Sequence, residues 1–274
     1  MAHVIALANH KGGVGKTTGT ANLGAALAQL GERVLLIDAD PQSNLGEAFG
    51  LDDPAAPGLR LEDVLDHPTW EKPPSAWTTR TDAESQTTVP LAAGVHMLPC
   101  TAELANTVAR LIQEPGTERR LRDVVGLYDD VYDWVLIDTP PGLGALSSMA
   151  MLAARWIIVP ARPADFDIGG AVKVADLLEH EIVKFNPTVE LLGVLVSQAD
   201  RRWHLGHETR AALKDADIPR FEIEIPFAVR VGSAPRYASP TVVLEPESRV
   251  GRAYRRLGRH LIEHMGHQPR KVAA

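Results

Sequence analysis

Short, continuous apolar runs recur along this chain and are separated by longer stretches with helical character. Five of the runs are rich in Val, Ile and Leu and show no polar alternation, at residues 4–8, 33–38, 134–138, 156–160 and 191–196. Strands that are buried on both faces have this pattern, as in parallel sheets. A further short run at 95–99 predicts one more strand.

Helical patterns lie between the runs. They cover residues 21–28, 102–125 with a break at Pro115-Gly116, 170–185 and about 250–265. Strands that alternate with helices form right-handed βαβ units and a mostly parallel sheet covered on both faces. The pattern therefore predicts an α/β fold, a three-layer sandwich in one domain over residues 1–274. Residues 52–94 are expected to form a surface excursion, and 266–274 a polar tail.

Composition narrows the class of protein. The chain has 274 residues, of which 45% are hydrophobic, so it can bury a full core. No apolar run approaches 18 residues and the first strand begins at once, so we expect neither a membrane span nor a signal peptide. Cys100 is the one cysteine. It permits no internal disulfide, suits a cytoplasmic protein and is expected to be a small apolar filler.

Charge is distributed unevenly along the chain. The formal net charge is −7, which argues against permanent residence on nucleic acid. Residues 197–274 nevertheless carry 14 Lys and Arg against 9 Asp and Glu, whereas residues 1–196 carry 14 against 26. This asymmetry predicts that the final third has a surface that faces an anion or nucleic acid.

Residues 11–18 read K-G-G-V-G-K-T-T and connect the first apolar run to a helical stretch. A glycine loop between a strand and a helix is the context of a phosphate-binding loop, whose backbone N–H groups and helix N-terminus face an anion. Lys16 would contact the β and γ phosphates, and Thr17 would ligate Mg²⁺. The alternative is a glycine-rich turn with an incidental lysine.

Three aspartates lie where apolar runs end. Asp138 closes one run in the manner of a Walker B aspartate, and Asp38 and Asp40 close another. Ligands bind at the carboxyl ends of strands in open α/β sheets. These carboxylates are therefore candidates for supporting Mg²⁺ and for orienting the attacking water, the alternative role being helix capping.

Lys11, just before the first glycine, has no role in an ordinary loop of this kind and could be a solvated surface lysine. The loop resembles the deviant Walker A loop of the ParA/MinD family of P-loop ATPases, K-G-G-x-G-K-[ST]-T. Three further segments resemble family motifs in the same order: D-A-D-P-Q-S-N at 38–44, D-T-P-P-G-L-G at 138–144, and I-P-F-A-V-R at 225–230 with the prolines that follow it. The resemblance is most specific to short, Soj-like ParA partition ATPases without an N-terminal helix-turn-helix.

The resemblance implies roles for individual residues. Lys11 would reach the partner subunit's nucleotide, Lys16 would hold the phosphates and Asp40 the hydrolytic water. Thr17, Asp38 and Asp138 would serve the metal. The remaining nucleotide contacts would come from the loop and from a base pocket: Gly12, Gly13, Val14, Gly15, Thr18, Pro226 and Ala228.

The resemblance also implies a biological cycle. ATP and Mg²⁺ would clamp a homodimer that binds DNA non-specifically on the nucleoid. Hydrolysis, slow without help, would be stimulated by a ParB-type centromere-binding protein and would drive plasmid or chromosome partition. A relative that positions another cargo, such as a protein cluster or microcompartment, would use the same cycle with a different adaptor.

Other classes fit less well. A MinD-like membrane switch needs an apolar amphipathic C-terminal helix, and residues 266–274 are polar. A nitrogenase-reductase-like carrier needs cluster cysteines. A purely metabolic P-loop enzyme gives Lys11 no role.

Several positions depart from the family pattern. Phe227 and Ala228 replace Arg and Asn, so the base would be held by backbone and apolar contacts there. Ser233 replaces a glutamate, and residues 164–170 lack the usual sequence after the fourth strand. These changes leave the adaptor and cargo open.

Arginines of the final third are candidates for DNA contact. Arg201 and Arg202 follow a strand, and Arg202 and Arg230 align with DNA-facing positions of the family. The last helix presents four more on its polar face: Arg252, Arg255, Arg256 and Arg259. Phosphate contacts need only clustered cations. A docking helix with a solvated basic face would have the same pattern, so both readings stay open.

Overall fold

The computed structural model describes residues 1–51, 53, 56–67, 69–81, 88–163, 169–199, 213–228 and 237–266. In this part of the chain, the strands in order are β1 (His3–Leu7), β2 (Val34–Asp38), β3 (Thr79–Thr81), β4 (Thr88–Pro90), β5 (His96–Leu98), β6 (Trp134–Asp138), β7 (Trp156–Ala161) and β8 (Glu190–Val196). The helices are α1 (Lys16–Gln29), α2 (Asn44–Ala48), α3 (Leu61–Asp66), α4 (Glu103–Leu111), α5 (Arg120–Gly126), α6 (Ala145–Ala153), α7 (Gly169–His180), α8 (Thr241–Leu244) and α9 (Arg249–His264).

Six strands form one parallel sheet in the order β5-β2-β6-β1-β7-β8. The predicted α/β fold with a mostly parallel sheet is confirmed. The predicted strands recur within about two residues because each of the central runs is buried along its whole length, as β2 and β6 are.

Two apolar layers cover the sheet, one on each face. Alternate side chains of a strand point to opposite faces. Leu36 and Leu136 therefore pack with α1 and α9, while Ile37 and Ile137 pack in the layer that contains α4 to α7. The three-layer arrangement follows from this alternation.

Helix α3 lies within the segment 52–94, for which the sequence pattern predicts a surface excursion. Helix α3 within this segment buries Leu61, Val64 and Leu65 completely in the core. The indole of Trp77 donates to the carbonyl of Leu59 at 2.7 Å. The described residues of this segment therefore include a short helix that completes one apolar layer.

Helix α9 closes the other layer against α1. A Cβ on Gly258 would stand 3.2 Å from Leu30 Cδ1, so the two helices pack closely where glycine leaves room. Ser248 caps α9 by accepting from the Gly251 N–H at 3.0 Å. Within the described residues, no helix has the length and apolarity needed to cross a membrane.

Sheet register brings the candidate residues together. Leu7 of β1 pairs with Asp138 of β6, and Asp138 also pairs with Asp38 of β2, the neighbouring strand on its other side. The loops that follow β1, β2 and β6 therefore leave the sheet side by side at its carboxyl edge, where parallel sheets bind ligands.

Candidate active site

The glycine loop has the conformation of an anion cradle. Gly13 and Gly15 have φ angles of 69° and 93°, in the left-handed region that side chains disfavour. Gly15 is the N-cap of α1, so the first free N–H groups of the helix and its positive dipole end face the loop. An anion of phosphate size suits this geometry.

Two polar residues after β8 hold the loop from behind. The Ser197 hydroxyl donates to the carbonyl of Val14 at 2.6 Å, and the Gln198 side-chain amide donates to the carbonyl of Gly13 at 3.2 Å. Gln198 itself has a φ of 54°. Because these two bonds hold the carbonyls of Val14 and Gly13, the carbonyl oxygens point away from the place of a bound anion. Neither residue is among those predicted from the sequence, where the only indication of a role is their position at the end of a strand.

Asn9 fixes the chain just before the loop. Its side-chain amide donates to the carbonyl of Pro160 at 2.8 Å, and its side-chain oxygen accepts from the Lys11 N–H at 3.1 Å. Lys11 is half-buried at the start of the loop. Asn9 thus anchors the main chain of Lys11 to the end of β7, which fixes the position from which the Lys11 side chain extends.

Lys16 lies almost wholly inside the site. Its ammonium group donates to the Lys11 carbonyl at 3.1 Å. Burial lowers the pKa of Lys16, and the carboxylates of Asp138 and Asp40 oppose that shift. The arrangement keeps a cation at the floor of the loop, next to two acids.

Asp138 is the least satisfied polar group of the site. It has no exposed surface, and neither carboxylate oxygen has a hydrogen-bond partner of ordinary geometry among the described residues. Burial raises its pKa well above the usual value and Asp38 adds to the rise, while the nearby Thr17 hydroxyl lowers it. A buried, unpartnered carboxylate beside a threonine hydroxyl is a suitable donor set for a hard divalent cation.

Asp38 serves the backbone of the next loop. One of its oxygens accepts from the Asp40 N–H at 3.2 Å and the other from the Gly46 N–H at 3.0 Å. Burial raises the pKa of Asp38 to about 7, although these two hydrogen bonds act to lower it. Both oxygens are thus committed to holding the start of the loop and helix α2.

Asp40 lies at the wall of the site, and its loop is held by Cys100. The Cys100 thiol donates to the Asp40 carbonyl at 3.0 Å, and the Ser43 hydroxyl donates to the Cys100 carbonyl at 2.7 Å. One Asp40 carboxylate oxygen accepts from the Gln42 N–H at 3.0 Å. Burial raises the pKa of the Cys100 thiol, so it stays protonated as a donor. Cys100 is buried as expected, but it is also a specific contact of this loop.

Two cavities meet above the loop. The first has a volume of about 400 Å³ and is bordered by Gly12, Gly13, Lys16, Thr17 and Asp40 among others. The second has a volume of about 340 Å³ and is bordered by Pro226 and Ala228. Gly15, Thr18 and Gln198 border both. The two cavities form one elongated site with a polar and an apolar half.

The candidate DNA residues fall into three groups. Arg252 and Arg255 of α9 both bond to Glu247, Arg255 through a side-chain contact of 2.9 Å. Arg256 and Arg259 are exposed and make no hydrogen bond or ion pair with any described residue. Arg201, Arg202 and Arg230 lie outside the described residues, as do Ser233 and residues 164–168.

Comparisons with known proteins identify relatives of this chain. The AAA domain family matches residues 2–191. The chromosome partitioning protein ParA of Caulobacter vibrioides is 35% identical over 98% of this chain and 97% of its own length. The chromosome-partitioning ATPase Soj of Thermus thermophilus is 34% identical over 94% of each chain.

A solved structure has the same fold. The cobyrinic acid a,c-diamide synthase of Mycobacterium smegmatis, with bound ATP analog and magnesium, superimposes with a TM-score of 0.76 at 28% identity and covers both chains completely.

Proposed function

Because this chain belongs to the ParA family of P-loop ATPases, we propose that it binds DNA non-specifically as an ATP-clamped dimer. A ParB-type partner then stimulates hydrolysis, and the cycle drives plasmid or chromosome partition on the nucleoid. The chain is an ATPase, and its cofactors are ATP and Mg²⁺.

The phosphates occupy the first cavity. Loop N–H groups from Gly12 to Thr18, with Val14 in the buried turn, bond the phosphate oxygens. The Lys16 ammonium neutralises the β and γ phosphates. It has three N–H donors, and the Lys11 carbonyl accepts from one of them.

The Mg²⁺ site consists of Thr17 and Asp138. The unpartnered oxygens of Asp138 support this assignment, since a cation would compensate a buried charge that the protein alone leaves unbalanced. Asp38 contributes negative charge and holds the adjoining loop rather than binding the ion directly. Bound Mg²⁺ supplies charge neutralisation on the phosphate oxygens.

Asp40 orients the attacking water. It borders the phosphate cavity, and its loop is fixed by Asp38 and Cys100, so its carboxylate has a defined position relative to the γ phosphate. Water attacks the γ phosphorus, the bond to the β-phosphate oxygen breaks, and ADP and phosphate leave. The base lies in the second cavity against Pro226 and Ala228.

The proposed dimer depends on Lys11. Asn9 anchors its main chain at the loop rim, and its main-chain carbonyl rather than its ammonium group contacts Lys16. Its ammonium group reaches the nucleotide of the partner subunit and joins the two sites. Intrinsic turnover is slow because the complete site exists only in the dimer.

DNA binding follows from pairing two weak cationic surfaces. Arg256 and Arg259 are exposed on α9. The family resemblance gives Arg202 and Arg230 the same role, and the sequence adds Arg201; all three lie outside the described residues. Arg252 and Arg255 contribute less because Glu247 compensates their charge. A dimer presents both surfaces to one duplex, so its affinity exceeds that of either subunit alone.

The test is retention on DNA of arbitrary sequence with ATP, with ADP and without nucleotide. We expect retention only with ATP and Mg²⁺ and a steep loss as salt rises. The Lys11→Gln variant should bind ATP but neither dimerise nor stay on DNA, as measured by light scattering and filter binding. Retention that ignores nucleotide, or a Lys11→Gln dimer, would contradict the proposal.

A further inference from the structure

Helix α9 supplies a polar group to the apolar half of the site. Tyr254 is 2% exposed and borders the second cavity together with Val250, one turn earlier. Its hydroxyl makes no hydrogen bond with any described residue. Burial raises the pKa of Tyr254, so the hydroxyl keeps its proton and can both donate and accept.

The other buried tyrosines show that this is a specific exception. The Tyr128 hydroxyl donates to the Pro74 carbonyl at 2.7 Å, and the Tyr132 hydroxyl contacts His96 Nδ1 at 2.8 Å. The Tyr254 hydroxyl oxygen is not itself fully buried, so it meets the open space of the cavity rather than a described protein partner. A phenylalanine would pack equally well at position 254 if packing were the only role.

The shape of the cavity limits what can occupy it. Its walls are largely apolar, from Ile225, Pro226, Phe227 and Val250. Phe227 is 54% exposed although it borders the cavity, so its ring can cover a ligand face. A flat group with apolar faces and a polar edge, attached to phosphates through the shared wall at Gly15, fits this space. A nucleobase has these properties.

We propose that Tyr254 is a base-binding residue, whose hydroxyl hydrogen-bonds a polar atom on the edge of the adenine while Phe227 stacks on the ring. This proposal rests on the proposed function, which places the base in the second cavity. It adds a polar contact from the last helix to a pocket that the departure to Ala228 leaves with little side-chain polarity.

The experiment compares Tyr254→Phe with wild type by calorimetric titration. The ligands are ATP, 2′-deoxyATP and inorganic tripolyphosphate, each with Mg²⁺. One hydrogen bond in a buried pocket predicts about a tenfold loss of affinity for ATP and for 2′-deoxyATP. Affinity for tripolyphosphate, which has no base, should not change. A loss confined to ATP would place the hydroxyl on the ribose and overturn the base contact.

Stability measurements separate a binding role from a structural one. Because its hydroxyl has no partner in the described residues, Tyr254→Phe should unfold in urea like wild type without nucleotide. Tyr128→Phe is the matched control, which should lose stability and keep wild-type ATP affinity. A Tyr254→Phe protein that fails to fold would show a structural role and overturn the proposal.

The outcomes also separate this proposal from the one on which it rests. If wild type binds no ATP, the proposed function fails. If wild type binds ATP and Tyr254→Phe binds it equally well, only the role of Tyr254 fails. Phe227→Ala should weaken ATP binding and leave tripolyphosphate binding unchanged, whereas Phe227→Tyr should restore the affinity for ATP.

Discussion

Two buried acids at the carboxyl edge of the sheet, Asp38 and Asp138, make the stability of the protein without metal or nucleotide sensitive to pH. Asp38 and Asp138 are register partners on adjacent strands, and both have no exposed surface. Burial raises the pKa of Asp38 from 3.8 to about 7. Burial and then the charge of Asp38 raise the pKa of Asp138 well above 3.8. Each carboxyl therefore holds a proton in the folded protein at a pH where the unfolded chain has released it.

The sign of the effect follows from this difference. Each group stabilises the fold below about pH 4, and the contribution is lost as pH rises toward the folded pKa. For Asp38 the loss accumulates to roughly 4 kcal/mol by about pH 8, as an upper estimate. Between about pH 5 and pH 6.5 the Asp38 carboxyl lowers the free energy of unfolding by up to about 1.4 kcal/mol per pH unit, and Asp138 acts in the same direction.

The informative perturbation is Asp138→Asn in metal-free, nucleotide-free protein. The amide breaks no hydrogen bond of ordinary geometry with a described residue and keeps an oxygen toward the Thr17 hydroxyl. The free energy of unfolding should therefore fall less steeply with rising pH in the variant than in wild type. The variant should also be more stable than wild type at about pH 8.

The assay is urea unfolding in EDTA at closely spaced pH values. Asp176→Asn, an exposed acid on α7, is the control and should keep the wild-type slope. Adding ATP and Mg²⁺ should stabilise wild type strongly and Asp138→Asn little. If the free energy of unfolding falls equally steeply with pH in wild type and in Asp138→Asn, the idea that these carboxyls stay protonated without metal and nucleotide is refuted.

Three further predictions test the catalytic and DNA-binding assignments. Asp40→Ala should slow phosphate release at least tenfold and keep the ATP dimer on DNA; wild-type turnover would remove Asp40 from water positioning. Ser197→Ala should raise the KM for ATP about tenfold with a smaller change in kcat, measured by steady-state phosphate release, since the loop loses one buried anchor. Arg256→Glu with Arg259→Glu should weaken DNA retention and lower its salt slope by about 2 to 4, whereas Arg252→Glu, already paired with Glu247, should change it less.

The sequence was most informative where the apolar pattern is continuous. The buried runs located β1, β2, β6, β7 and β8, and the aspartates that close β2 and β6 meet as the parallel arrangement requires. Register on a parallel sheet follows from which residues are buried, so strand ends could be predicted to lie side by side.

The anchoring residues could not be predicted in the same way. Asn9, Cys100 and Ser197 act by bonding to backbone carbonyls far away in the chain, at Pro160, Asp40 and Val14. Backbone carbonyls have no sequence signature, so one polar or sulfur side chain near a strand end looks like another. Tyr254, whose hydroxyl has no partner among the described residues, likewise looks like an ordinary apolar position of α9 in the sequence.

The bond between the ammonium of Lys16 and the carbonyl of Lys11 affects how variants of this loop can be interpreted. A substitution at Lys16 removes the proposed phosphate cation and, at the same time, a hydrogen bond to the backbone of Lys11, the residue proposed to reach the partner subunit. Loss of dimerisation in such a variant cannot be attributed to loss of ATP alone. Lys11→Gln keeps the carbonyl and therefore this hydrogen bond.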